Sequence, residues 1–219
     1  MWSIVRKDLA IELRTGEMTS SVFLLALLVV LVFAFTLEPE RLVGADFLAG
    51  LSWTTLLLAG TLSLNRSFVL EREAGGLTGL ALAPIDRGSI YLGKMIGNLL
   101  MLLVAAIVLL PLIGVLLGTR GLSPSWLLPL VLLLGVTGIA AVGTLCAAIA
   151  SRTRAREVLL PVLMFPLLAP LLIAATRTTA GALLGQSVDE LQSWLLTLVA
   201  FDIVFAVAGW LSFDYVLEE

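Results

Sequence analysis

Apolar residues fall in six long stretches, over 20–37, 47–64, 90–117, 126–150, 158–175 and 194–213, with short polar breaks between them. A hydrocarbon core of about 30 Å takes about 20 helical residues to cross, so each stretch predicts a transmembrane helix. Backbone polar groups inside a bilayer have no water to bond, which favours the helix because it satisfies them within one segment. The breaks carry charges and turn formers. Glu38-Pro39-Glu40-Arg41 ends the first stretch, and Thr119-Arg120-Gly121 with Ser123-Pro124 divides the third from the fourth. The chain therefore reads as an all-α membrane protein: one transmembrane domain over 1–219 with six spans. Two flanking segments are less apolar. Within 1–18, Trp2, Val5, Leu9 and Leu13 recur at helical spacing with Arg6, Lys7, Glu12 and Arg14 between them. That pattern suits an amphipathic helix lying in the membrane interface, or one laid against a soluble partner. Residues 176–192 mix small and polar types, and read either as an external loop or as short helices re-entering the outer leaflet.

Composition agrees, with 60% of residues hydrophobic and 13% charged, too little polar surface for a soluble domain of 219 residues. A formal charge of −3, scattered along the chain, gives no basic patch for nucleic acid. The position of the charges says more than their sum. Arg6, Lys7, Arg14, Arg66, Arg72, Arg87, Lys94, Arg152, Arg154 and Arg156 fall on one side of the predicted spans, and Arg41, Arg120 and Arg177 on the other. Ten basic residues against three place the N-terminus in the cytoplasm, and six spans return the C-terminus there. Trp126 and Trp194 mark outer boundaries and Trp210 an inner one. Cys146 is the single cysteine, so no intramolecular disulfide forms. The first fifteen residues lack the basic start, apolar core and cleavage site of a signal peptide.

Four features carry candidate chemistry. The cytoplasmic segment 71–89 sets Glu71, Glu73, Gly75 and Gly76 before a short apolar run of Leu77, Leu80 and Leu82 that Pro84 closes. It is too short to cross a membrane and too apolar to stand in water, so it predicts a helix docked in a partner's groove, or one resting on lipid. Such a helix is placed to transmit a motor subunit's movement to the spans. Residues 88–95 nearly match a phosphate-binding loop, but Met95 stands where a hydroxyl is needed and no strand precedes it, so ATP belongs to another chain. Asp202 is the one acid near the middle of a span. An aspartate there is unfavourable by about 2.5–3.5 kcal/mol. It therefore faces other helices, either as a polar or proton-carrying point on a transport route or as a structural hydrogen bond. Asn65 and Arg66 are its candidate partners. Pro161, Pro166 and Pro170 share one span, which is expected to be kinked or broken there. Small-residue pairs at Gly93/Gly97, Gly114/Gly118 and Gly181/Gly185 permit close helix approach. No nucleophile–base pair and no metal cluster is legible, so no catalytic and no metal site is predicted.

Three segments together carry a resemblance: Glu73-Ala-Gly-Gly-Leu-Thr-Gly-Leu-Ala-Leu-Ala-Pro84 followed by Lys94; Glu157-Val-Leu-Leu-Pro161-Val-Leu-Met-Phe-Pro166-Leu-Leu-Ala-Pro170; and the tail from Leu198-Val-Ala-Phe-Asp202 to Leu211-Ser-Phe-Asp-Tyr-Val-Leu-Glu-Glu219. With them the chain resembles the CcmB family of cytochrome c maturation permeases, also called haem exporter protein B, relatives of the ABC-2-type permeases. Ala74 and Gly79 depart from the acid and the polar residue common in that family. The resemblance implies an ABC-2-type permease in the bacterial cytoplasmic (inner) membrane, working with a separate ABC ATPase, a haem-handling membrane subunit, a periplasmic haem chaperone and a second copy of itself. ATP hydrolysis by the partner would support haem delivery or release of the chaperone, and the permease itself is not an enzyme. Haem iron is usually held by His, Cys, Met or Tyr. This chain has no histidine, and its one cysteine, five methionines and two tyrosines form no evident pair. Haem is therefore expected on a partner subunit, and no cofactor on this chain. Two rival readings are a generic ABC-2 exporter of lipid, glycan or drug, and a proton-coupled secondary transporter using Asp202; the lack of inverted repeats counts against the latter.

Overall fold

The computed structural model describes residues 2–36, 44–73, 87–117, 122–123, 125–150, 153 and 156–218. Those residues form seven α-helices: α1 (Trp2–Thr15), α2 (Glu17–Thr36), α3 (Ala45–Glu73), α4 (Arg87–Leu117), α5 (Leu127–Ala150), α6 (Arg156–Leu183) and α7 (Val188–Glu218). Five contain stretches long and apolar enough to cross a bilayer, over Ala45–Leu64, Gly88–Leu117, Leu127–Ala150, Val158–Leu183 and Val188–Phe213. The apolar part of α2, Ser20–Thr36, is shorter. Residue 37, which closes the first apolar stretch of the sequence, lies outside the described residues. The chain is thus a multi-pass helical membrane protein.

Helix α5 is the axis of the bundle and packs against α3, α4, α6 and α7. Its sequence explains the position. From Gly135 to Ala150 it is dominated by glycine, alanine and other small residues, and Gly135, Gly138, Ala140, Ala141, Gly143 and Ala147 are all buried. Without a hydrophobic drive between helices in lipid, association depends on close packing, and small side chains let backbones approach. The outer helices show the reverse pattern. Leu24, Leu28 and Val32 on α2, Val104 and Ile107 on α4, Val162 and Ile173 on α6, and Leu196, Ile203 and Val207 on α7 are all exposed large apolar side chains. An apolar belt of this extent suits contact with acyl chains.

α1 and α2 meet at Gly16, whose φ of 60° is costly for any residue with a Cβ. Its N–H donates to the Glu12 carbonyl at 2.7 Å and closes α1 in the manner of a C-terminal glycine cap. α1 lies against α4 and α2, with Val5 and Glu12 buried and Trp2 exposed. The amphipathic segment of the sequence is thus a helix that lays Val5 and Glu12 against the chain's own bundle.

Residues 176–192 form neither a free loop nor separate short helices. α6 continues to Leu183, residues 184–187 turn, and α7 starts at Val188. Gly185, at a φ of 73°, lets the Gln186 N–H donate back to the Gly181 carbonyl at 2.9 Å, a Schellman ending. The Ser187 N–H donates to a Glu190 carboxylate oxygen at 3.3 Å, which is half of a capping box for α7. The Ser123 and Ser125 N–H groups donate to the carbonyls of Leu183 and Ala182, so the approach to α5 is tied to the same hairpin. At this end of the bundle Arg177 and Asp46 form an exposed ion pair at 3.8 Å, linking α6 to the start of α3.

Candidate functional site in the bundle interior

Three glycines on α5 each receive a large side chain from a neighbouring helix. A Cβ on Gly135 would lie 2.1 Å from the Trp53 ring of α3, and one on Gly143 would lie 2.3 Å from Leu64, also of α3. A Cβ on Gly138 would lie 2.7 Å from Leu171 of α6 and 2.8 Å from the Asp202 carboxylate of α7. Trp53 is fixed at its far end too, because its indole N–H donates to Thr179 Oγ1 of α6 at 2.9 Å. The middle of α5 is therefore where α3, α6 and α7 converge.

Asp202 is 8% exposed and belongs to the inward stripe of α7. Leu191, Leu198, Asp202, Gly209 and Phe213 follow one another in steps of seven, four, seven and four residues, and all are buried. Those steps keep one face of a helix directed at its neighbours. Asp202 thus occupies a place where the rest of the stripe packs apolar or small side chains. Both of its carboxylate oxygens are buried, and among the described residues neither has a hydrogen-bond partner. The sequence nominated Asn65 and Arg66 as partners. They lie on α3, and their side chains are outside the described residues. Leu64 meets Gly143, whereas Asp202 meets Gly138, five residues or about 7.5 Å away along α5. A charged carboxylate with no donor is expensive inside a packed bundle. Among the described residues, Asp202 thus stands without a donor on the contact between α5 and α7.

A second polar stripe runs along α4, where Tyr91, Lys94 and Asn98 recur every three or four residues and are all buried. Asn98 Nδ2 donates to Thr144 Oγ1 of α5 at 2.9 Å. The Tyr91 hydroxyl donates to the Ala141 carbonyl of α5 at 3.0 Å, with the Phe205 carbonyl of α7 at 3.4 Å. These residues include the near-match to a phosphate-binding loop. Here they are the first turns of a helix, with Tyr91 and Lys94 directed into protein.

The remaining sequence candidates divide by position. Gly75, Gly76, Leu77, Leu80, Leu82 and Pro84 lie outside the described residues. Glu71 and Glu73 are in the last turn of α3, and only their backbone is described. Pro161, Pro166 and Pro170 sit within α6, which runs through all three without interruption. Pro166 and Pro170 are exposed, while Leu160, Met164, Leu168 and Leu171 form the inward face. The helix was expected to be kinked or broken, and it is not broken. Pro166 and Pro170 thus face outward and Pro161 is half-buried, while the buried stripe from Leu160 to Leu171 continues along α6. Of the small-residue pairs, Gly181 makes a tight approach, with a Cβ there lying 2.3 Å from Gln186. Trp53, Tyr91, Gly135, Gly138, Gly143 and Gly209 carry no motif of their own in the sequence. The concentration of small residues over 135–150 was the available signal. Among the possible haem ligands, Cys146, Met164 and Tyr91 are sealed inside the protein. Met101 lines an apolar groove between α2, α3 and α4 whose walls include Phe23, Leu56 and Val108.

Comparison with known proteins gives one answer. The model of the CcmB protein family matches residues 1–216. Heme exporter protein B of Rhodobacter capsulatus is 32% identical over 189 residues, covering 86% of each chain. Heme exporter protein B of Paracoccus denitrificans is 31% identical over 186 residues, 83% of this chain and 85% of that one. That of Pseudomonas aeruginosa is 28% identical over 202 residues, 91% and 90% of the two chains.

Proposed function

The chain belongs to the CcmB family, and from there we propose that it is the permease subunit of an ABC transporter complex serving cytochrome c biogenesis. The observation that carries this is the family match over nearly the whole chain, together with relatives named as haem exporters. In this reading α2 is the first of six spans, both termini are cytoplasmic, and the protein resides in the bacterial inner membrane. The ten-to-three distribution of basic residues supports that orientation.

The mechanism follows from what a permease without a motor must do. A separate subunit binds and hydrolyses ATP. Its movement enters through 71–89, where Leu77, Leu80 and Leu82 engage a groove flanked by the charges of Glu71 and Glu73. α3 and α4 are the helices on either side of that segment, and both pack on α5. A displacement at 71–89 therefore reaches the convergence of Trp53, Leu64, Leu171 and Asp202 on the glycines of α5. The output is haem delivery to, or release of, a periplasmic haem chaperone. Haem is the substrate of the complex and is held by a haem-handling partner subunit. The burial of Cys146, Met164 and Tyr91 supports that assignment, because their side chains do not line an open surface.

The test is recovery of the tagged protein from its native membrane in mild detergent, with Leu80→Asp beside wild type. Wild type is expected to bring down an ATPase and haem-handling subunits, and the variant to lose the ATPase. After incubation with haem and removal of the unbound fraction, the isolated subunit is expected to retain no Soret absorbance. Failure to recover an ATPase in any mild detergent would overturn the reading. It would favour a proton-coupled carrier in which Asp202 takes the proton.

A further inference from the structure

The first turns of α4 and the last third of α7 are interlocked. Tyr91, on α4, is completely buried. Its ring lies over Gly209 of α7, so that a Cβ there would sit 2.2 Å from Cζ and 2.3 Å from the hydroxyl. Phe213, one turn further along α7, meets the same ring at a centroid distance of 5.5 Å. The exchange is reciprocal. A Cβ on Gly88 of α4 would lie 2.1 Å from the Trp210 indole nitrogen of α7. Each helix thus offers a glycine to an aromatic ring of the other. The Tyr91 hydroxyl also reaches the Ala141 carbonyl at 3.0 Å, which ties in α5.

We propose that Tyr91 and Gly209, reinforced by Gly88 and Trp210, form a clasp that carries movement of the segment preceding α4 into α7 and on to Asp202. The proposal rests on the reading of 71–89 as the segment driven by the ATPase. Rings seated on glycine backbones cannot slide by a fraction of a turn without collision, so the two helices either move together or disengage. Packed contacts of this kind are bistable, not continuously deformable. Tyr91 is the fifth residue of α4, next to the driven segment. Asp202 precedes Gly209 by seven residues, about 10 Å of helix. A shift of α4 passed into α7 would therefore reach the contact of the carboxylate with Gly138. Tyr91 acts as a positioning residue and touches no substrate.

The complex with its ATPase, reconstituted in lipid, tests this through the haem delivered to the chaperone per ATP hydrolysed. Tyr91→Phe keeps the ring and removes the hydroxyl. The ring stays on Gly209, so assembly, ATP turnover and delivery per ATP are expected to remain within about twofold of wild type. A larger fall in delivery would place the coupling in the Ala141 hydrogen bond and overturn the clasp. Gly209→Ala should disrupt assembly, because the rigid ring cannot yield. Adding Tyr91→Ala removes the ring and should restore assembly without restoring delivery per ATP. Delivery per ATP in the double variant is expected about two- to thirtyfold below wild type, and wild-type delivery there would overturn the clasp and leave the permease reading standing. A wild-type complex that hydrolyses ATP without any linked delivery of haem would overturn that reading first, and the clasp with it.

Discussion

At the scale of single residues, the interior is organised by glycines whose missing Cβ is occupied by a neighbour's side chain. Gly135 offers a clear test, because the group it faces is both rigid and pinned. Trp53 lies 2.1 Å from the place of a Gly135 Cβ, and its N–H is held by Thr179 at 2.9 Å, so the indole has no easy retreat. Gly135→Ala is expected to lower stability by about 1–3 kcal/mol, the usual cost of overpacking a filled core. In a Trp53→Ala background the same substitution should cost close to nothing, giving an interaction energy of comparable size in a double-mutant cycle. Thermal unfolding in detergent would report it, and equal costs in both backgrounds would contradict the geometry. Asp202 and Gly135 also show what a sequence can reveal at this scale. A carboxylate in an apolar run stands out because its burial is expensive, so Asp202 was legible as an inward-facing residue. A glycine in such a run has the same hydropathy whether it faces lipid or a tryptophan. The pairings Gly135–Trp53, Gly138–Leu171 and Gly209–Tyr91 join residues far apart in the chain, and no local pattern encodes them.

At the scale of elements, long hydrophobic runs are legible because length and apolarity define them, and five of the six contain stretches long and apolar enough to cross a bilayer. Spans 90–117 and 126–150 of the sequence correspond closely to α4 and α5. The difficulty came where polarity rose without a helix ending. Thr176, Arg177, Thr178 and Thr179 suggested that the fifth span had stopped, yet α6 continues to Leu183. Thr178 donates to the Ala174 carbonyl at 2.7 Å and Thr179 accepts from Trp53, so both hydroxyls are satisfied inside the helical packing. The true end is at Gly185, where the chain needs a positive φ. Replacing Gly185 with Ala places a Cβ in the left-handed region, at a cost of about 1–2 kcal/mol. Asn, which tolerates that region better, should lose less. Stability in the order Gly, Asn, Ala at position 185, measured by thermal unfolding, is the expected outcome. An Ala variant as stable as wild type would mean that the hairpin does not depend on this turn. The prolines teach a related lesson. Pro166 and Pro170 were legible as a disturbance of the span, but their outward placement depends on which face of α6 the bundle selects, and that is a property of α3, α5 and α7.

At the scale of the whole molecule, the open quantity is the sidedness of the bundle, and the chain is well suited to its measurement. Its single cysteine, Cys146, is 2% exposed, so cysteines introduced elsewhere can be labelled against a silent background. Under the proposed topology the ends of the chain share one side, and the turn between α6 and α7 faces the other. Ala10→Cys on α1 and Glu219→Cys should therefore react with a membrane-impermeant maleimide only in inverted vesicles. Leu184→Cys, at an exposed position of the turn, should react in intact spheroplasts. The positions are chosen to leave the basic residues untouched, because the charge bias is itself the proposed cause of the orientation. The pattern also decides the role of α2, whose apolar part, Ser20–Thr36, is shorter than the five stretches long and apolar enough to cross. If α2 crosses the membrane, the number of crossings is even and positions 10 and 219 label together. If it only lies along the surface, the number is odd and the two positions label from opposite sides. Opposite labelling would remove one span from the proposed permease. Because 71–89 lies between α3 and α4, its side is fixed by the crossings from there to the C-terminus. A Leu184 site reactive from outside would keep the driven segment on the ATP side whichever way α2 lies.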